Sequence, residues 1–216
     1  MKNRLHRSSL LLALSLCGSS AVAHAQSVPE WCEGPRNPDR PQQQPDAYPN
    51  VTLAKASGDL CPEGTFNLRS AEGAVTILSS TTKNGSSSCL VEMDVEVPAG
   101  WRFRQPVFAA SVQANSATPQ PASQVQFKLE LVGHGAHTIP ATIVPVLHES
   151  TAPEDVLVCS VANLTLQECP DPTQPTKLRL NLTVTAVVQK DTFLNIGAFD
   201  FNFYEQAQWV RCDEGF

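Results

Sequence analysis

From Leu178 to Val188 every second residue is apolar: Leu178, Leu180, Leu182, Val184, Ala186 and Val188. A strand sends successive side chains to opposite faces, so this spacing predicts one buried and one wet face and excludes a helix over the same span. The pattern recurs at Val91, Met93, Val95 and Val97, set between Glu92, Asp94 and Glu96. It recurs again at Phe127, Leu129 and Leu131, set between Gln126, Lys128 and Glu130, and at Phe199, Phe201 and Phe203. Four such strands define a sheet-on-sheet core.

Weaker strand candidates are residues 51–56, 65–69, 74–80, 107–113, 138–147 and 156–161. Ser57-Gly58-Asp59, Asn84-Gly85, Pro98-Ala99-Gly100 and Gly133-His134-Gly135 separate strands as turns. No segment combines a helix cap with apolar spacing of three to four. The expected fold is all-β, an antiparallel sandwich of jelly-roll type with about ten strands. An up-and-down barrel is the lesser alternative. Pro140 and Pro145 each remove a ladder donor, so residues 138–147 are expected at an edge or a bulge.

The first 25 residues read as an export leader. Lys2, Arg4 and Arg7 start it, Leu10 to Leu16 form its apolar centre, and Ala23-His24-Ala25 precedes a cleavage point at Ala25-Gln26. A lipid-attachment reading at Cys17 conflicts with the bulky Leu16 before it. No later stretch approaches the roughly 18 to 20 apolar residues of a membrane-spanning helix. The expected product is secreted or periplasmic. Loss of Lys2, Arg4 and Arg7 from 15 basic residues, against 21 acidic ones, moves the formal charge from −6 to −9. An acidic chain lacks the Lys/Arg footprint that a nucleic acid partner requires, and nucleic acid is not an expected ligand.

Residues 26–50 form a proline-rich arm, with Pro29, Pro35, Pro38, Pro41, Pro45 and Pro49 around Gln42-Gln43-Gln44. Too little apolar surface is present to offset ordering, so the arm is expected to be extended, with the sandwich occupying 51–216. Trp31 and Cys32 offer a means of tacking it down.

Beyond the leader stand Cys32, Cys61, Cys89, Cys159, Cys169 and Cys212, an even set that in an exported chain reads as three disulfides among fifteen possible pairings. Cys159 and Cys169 are nearest in sequence and are expected to pair. Cys61 with Cys89 and Cys32 with Cys212 is the preferred arrangement of the rest. No Cys-x-x-Cys pair suggests zinc, and an even count leaves no spare catalytic thiol.

Several of these residues also form an ordered series. Gly58-Asp59-Leu60-Cys61-Pro62-Glu63-Gly64-Thr65, Cys89-Leu90, Pro98-Ala99-Gly100-Trp101, Cys159 with Leu178-Arg179-Leu180-Asn181, and Trp209-Val210-Arg211-Cys212 follow one another. The series resembles a secreted family catalogued as domain of unknown function 4360, common in fungi and also found in bacteria. It spans roughly residues 51 to 212. The arm with Cys32, Cys169 and residues 105–150 depart from the family pattern. The resemblance implies a secreted β-sandwich and supplies no activity.

Three groups are candidate sites. His134, His137 and His148 would supply three imidazoles for zinc or copper if the following strand folds back, although a pair in a glycine-rich turn is more often plain surface. Glu92, Asp94 and Glu96 form an acidic stripe. Carboxylates in such a row serve glycoside hydrolysis or calcium only with a facing partner, and Lys128 or Arg179 would offset their charge. Trp101, Tyr204 and Trp209, with Asp200 and Asn202, would make a sugar platform if the indoles are exposed, the alternative being that both tryptophans anchor the core. Sequons begin at Asn50, Asn84, Asn163 and Asn181, but the bacterial character of the leader makes them incidental.

No nucleophile elbow, phosphate loop or dinucleotide fingerprint occurs, and no cofactor is implied. The expected function is that of a non-enzymatic surface, matrix or interaction module whose partner is a cell-surface glycan or protein. A carbohydrate-binding module and a hydrolase of unfamiliar design are the alternatives.

Overall fold

The computed structural model describes residues 45–61, 67–71, 74–78, 85–116, 120–143, 145–147, 156–169, 171–202 and 207–214. Residues 1–44, which hold the expected leader and most of the expected arm with Cys32, lie outside them. The strands are β1 (Asn50–Ser57), β2 (Asn67–Ala71), β3 (Ala74–Leu78), β4 (Gly85–Val97), β5 (Trp101–Arg104), β6 (Val107–Ser116) and β7 (Ser123–Leu131). They continue as β8 (Gly135–Ile143), β9 (Val146–Leu147), β10 (Val156–Val161), β11 (Thr176–Val188), β12 (Thr192–Asn202) and β13 (Gln208–Arg211). No helix occurs among the described residues.

Two antiparallel sheets face each other. Sheet A runs β1-β4-β11-β7-β8 and sheet B runs β10-β6-β12-β3-β2, with β9 added in parallel to β6. The alternation legible in the sequence sets the layers. Val91, Met93, Val95, Leu180, Leu182, Val184, Phe127 and Leu129 from sheet A share one buried cluster with Phe108, Ala110, Val112, Leu194 and Ile196 from sheet B. The rings of Phe108 and Phe127 meet across the layers at 5.2 Å. Residues 138–147 divide into β8, which is the edge of sheet A and carries Pro140, and β9 after Pro145, as the two prolines require.

A short pair, β5 with β13, closes one end of the sandwich. Phe103 packs edge-on against Trp209 at 5.6 Å, and the Arg211 guanidinium lies 4.9 Å from the centre of the Trp101 ring. Residues 162–166 lie along β5, where Gln105 N–H donates to Leu164 O and Leu166 N–H donates to Phe103 O. Ala162, Leu164 and Leu166 turn inward into the core.

The disulfides correct two of the expected pairings and confirm one. Cys61 bonds Cys89 as expected, and Cys169 bonds Cys212. Cys159 therefore does not pair with Cys169, nor Cys32 with Cys212. Proximity in sequence misleads here because docking of Leu164 and Leu166 carries Cys169 away from β10 to the β5–β13 end, beside Trp101 O. Cys159 stays in β10, opposite Ala109, and is itself disulfide-bonded.

Each staple closes beside a turn glycine at positive φ. Asp59 Oδ1 accepts from Ser88 N–H at 2.7 Å, Leu60 N–H donates to Ser88 O at 3.0 Å, and Cys61 then reaches Cys89. This close approach depends on Gly58, whose φ is +131° and whose missing Cβ would stand 2.3 Å from Ser88 O. Gly58→Ala is expected to cost roughly 2–3 kcal/mol in a denaturant titration, because both the backbone conformation and a backbone contact resist it. At the other staple, Gly100 (φ +78°) turns the chain so that its carbonyl accepts from Cys212 N–H at 2.9 Å.

Candidate functional site

Trp101 and Trp209 are 8% and 6% exposed and belong to the core of the β5–β13 end. The platform that required exposed indoles is not presented by them; a ring that must close the end of a two-layer core is drawn into it. Tyr204 lies outside the described residues. Asp200 and Asn202 are on a different element, at register positions opposite Ala109 and Val107 on sheet B.

The acidic stripe is neutralised on its own sheet. Arg179 Nε donates to Asp94 Oδ1 at 2.8 Å, its Nη1 reaches Glu92 Oε2 at 3.1 Å, and Lys177 Nζ stands 3.9 Å from Glu96 Oε2. Lys128 pairs with Glu130. Asn50, Thr52, Asp94, Glu96, Lys177 and Arg179 border a shallow depression of about 520 Å³ here. Its carboxylates are held by cations, and none faces another across a cleft. These pairs are half-exposed, so Arg179→Ala is expected to change stability by less than about 1 kcal/mol, measured by thermal unfolding at low and high salt.

His134 sits in the turn after β7, its N–H donating to Leu131 O. His137 is on β8, where its Nε2 lies 3.1 Å from Ser160 Oγ on β10 and ties the two sheets at one lateral edge. His148 lies outside the described residues. Among the described residues no three His, Cys, Asp or Glu side chains gather to hold a metal, and no carboxylate hydrogen-bonds His137 to complete a Ser-His-acid relay.

The remaining surface with binding chemistry is the outer face of sheet B. Phe193 opens β12 and is 55% exposed. Its cross-strand partner is Asn115, and the next pair toward the middle of the sheet is Asn195 with Gln113. Opposed residues on one face stand about 4.5–5.5 Å apart at Cβ, so an exposed phenyl ring is set among three amides. Asn195 Oδ1 itself is turned in from solvent and has no hydrogen-bond partner among the described residues. Residues 111–115 of β6 and 193–198 of β12 include no charged residue, in contrast to the ion-paired outer face of sheet A. Farther along the same face, past Ser111, Val107 and Ala109 form an apolar cluster with Leu157, Cys159 and Val161.

The sequence reading missed Phe193 because of a bulge. Between Ile196 and Ala198 the register of β12 on β6 shifts by one. Residues 193 and 195 therefore share a face with 198, 200 and 202, while Phe199 and Phe201 pair with the core-side positions Ala110 and Phe108. The signal available was Gly197 inside an apolar run, which marks a bulge and flips the face of everything before it.

No family model matches the chain, and no curated protein matches it. Among solved structures, a family 61 carbohydrate-binding module in complex with beta-1,4-galactotriose is 14% identical, covering 76% of this chain and 88% of that one, with a TM-score of 0.26. A xylan-binding module of family 15 is 16% identical over 73% of this chain and 97% of its own, with a TM-score of 0.33. Among the described residues no helix is long and apolar enough to cross a membrane.

Proposed function

We propose that the chain is an exported, non-enzymatic recognition module that binds a neutral glycan on the outer face of sheet B. The observation that carries this reading is the exposed ring of Phe193 set among Asn115, Gln113 and Asn195 on an uncharged stretch of two strands. A sugar ring offers an apolar C–H face and a rim of hydroxyls. A phenyl ring packs against the first, and amides, which both donate and accept, match the second. A charged ligand would find no counter-ion on residues 111–115 or 193–198. Where the series Gly58 to Cys212 resembles the secreted family, it fits the same reading, because its residues fasten the fold and leave recognition to other positions.

A glycan array screened with the mature protein tests the proposal, followed by calorimetric titration of the best ligand. Phe193→Ala is expected to weaken binding about tenfold or more, as truncation of a central aromatic anchor does. Unfolding should stay within about 0.5 kcal/mol, because the ring is largely exposed. Retention of full affinity in Phe193→Ala, or no bound glycan at all, would overturn the assignment.

A further inference from the structure

Cys61–Cys89 and Cys169–Cys212 are the same bond in opposite surroundings. Cys61 and Cys89 are 0% and 3% exposed and belong to the main core cluster, whereas Cys169 and Cys212 are both half-buried at the β5–β13 end. Thiol–disulfide exchange begins when a thiolate reaches one sulfur of the bond, so access decides which bridge a reductant opens first. Cys61–Cys89 is reached only by parting the core around it. Cys169–Cys212 is reached from solvent.

What the exposed bridge holds sets the consequence of opening it. β5 is flanked by β13 on one side and by residues 164–166 on the other, where Gln105 N–H donates to Leu164 O and Leu166 N–H to Phe103 O. Among the described residues β13 shares its ladder with β5 alone and joins neither sheet A nor sheet B. That ladder is four residue pairs long, and Cys212 N–H on Gly100 O extends it by one contact. A two-stranded ribbon of this length is marginally stable in water by itself. The Cys169–Cys212 bond supplies the missing constraint by tying the two flanks of β5 to each other. Under this clasp lie Trp101, Phe103 and Trp209, all buried, with the Phe103 and Trp209 rings in edge contact.

We infer that the Cys169–Cys212 bridge is a reducible latch: a small dithiol opens it in the folded protein while Cys61–Cys89 stays closed, releasing β13 and uncovering Trp101, Phe103 and Trp209. In the first step one thiolate of the dithiol attacks a sulfur of the bridge, the Cys–Cys bond breaks, and one cysteine leaves and takes a proton. In the second step the other thiol of the dithiol attacks its own sulfur in the mixed disulfide and frees the second cysteine. The dithiol ends as a disulfide, having given two electrons and two protons to Cys169 and Cys212, and a disulfide oxidant reverses the exchange. Val107, just after β5, and Asn115, opposite Phe193, are eight residues apart on β6, about 26 Å. The latch therefore works at the end of the molecule away from Phe193 and does not depend on the glycan reading.

Graded dithiothreitol added to the folded protein, followed by alkylation and peptide mapping, tests the selectivity. Cys169 and Cys212 are expected to become alkylated at a concentration about tenfold or more below that needed for Cys61 and Cys89. Alkylation of all four at one concentration, or a Cys169–Cys212 bond that persists until the protein unfolds, would overturn the latch. Amide hydrogen exchange of the selectively reduced protein tests the release. Exchange at Gln208–Arg211 should rise about tenfold or more, with residues 91–95 and 180–184 unchanged, and reoxidation should reverse it. Cys169→Ser/Cys212→Ser should show the faster exchange at Gln208–Arg211 with no further response to dithiothreitol. Unchanged exchange there after reduction, or a further rise in the double variant when reductant is added, would show that this bond does not hold β13.

Discussion

Phe127→Ala is expected to lower the free energy of unfolding by about 3–5 kcal/mol, as loss of a fully buried ring from a core does. Phe127 is fully buried on β7 and meets Phe108 of β6 at 5.2 Å, so the pair bridges the two sheets on strands that each have a neighbour on either side. Removing one ring leaves a cavity that strands held in register on both sides cannot close. For a domain of this size the loss corresponds to a melting point roughly 10 °C lower. A double-mutant cycle with Phe108→Ala isolates the ring contact, expected at about 0.5–1.5 kcal/mol beyond the area buried. Strict additivity of the two substitutions would mean that the rings contribute only as separate apolar volumes.

Opening the Cys169–Cys212 bridge is expected to cost nearly as much and to leave a different signature. The cysteines are 43 residues apart, which in the chain-entropy account corresponds to roughly 4 kcal/mol of lost constraint on the unfolded chain. In the native state the bridge joins residues 162–169 to β13, and β13 is held otherwise by its pairing with the four-residue β5. Cys169→Ser/Cys212→Ser should therefore loosen this end first. Trp101 and Trp209 would gain exposure, and tryptophan emission should move to longer wavelength before the main denaturant transition. A single transition with native-like emission throughout would show that the end pair stands without its staple. The Cys61–Cys89 bridge, at a separation of 28, is expected to cost slightly less and to leave those indoles undisturbed.

Phe127 and the Cys169–Cys212 bridge differ in how far the sequence betrays them. Long strands announced themselves: the alternation at residues 91–97, 127–131 and 178–188 needed no tertiary information, and Phe127 was readable as core from it. The edge position of residues 138–143 was readable from Pro140, because a missing N–H is tolerated only there. Strands β5 and β13, at four residues each, are too short for a period to emerge, so the sequence left Trp101 and Trp209 open between core anchors and a sugar platform, and the structure places both in the core. The Cys169–Cys212 bridge was hidden for the same reason, since nothing local shows that Leu164 and Leu166 dock on β5 and carry Cys169 with them.

The candidate site was the least legible part. The motifs that stood out, Gly58 to Cys61, Pro98 to Trp101 and Trp209 to Cys212, are distinctive because fastening a chain to itself demands special residues: a glycine at positive φ, a cysteine, a ring that caps the core. Recognition on a strand face demands only an aromatic and some amides, which are ordinary strand residues. Phe193 was passed over because the bulge after Ile196 separates its parity from that of Phe199, whose row the sequence made conspicuous.

Amide hydrogen exchange of the protein, with and without the glycan selected by the array, tests the location of the site most directly. Slowed exchange confined to residues 111–116 of β6 and 192–196 of β12 is the expected result. Protection at Trp101–Arg104 and Gln208–Arg211, or across the ion-paired face of β4 and β11, with none around Phe193, would contradict it.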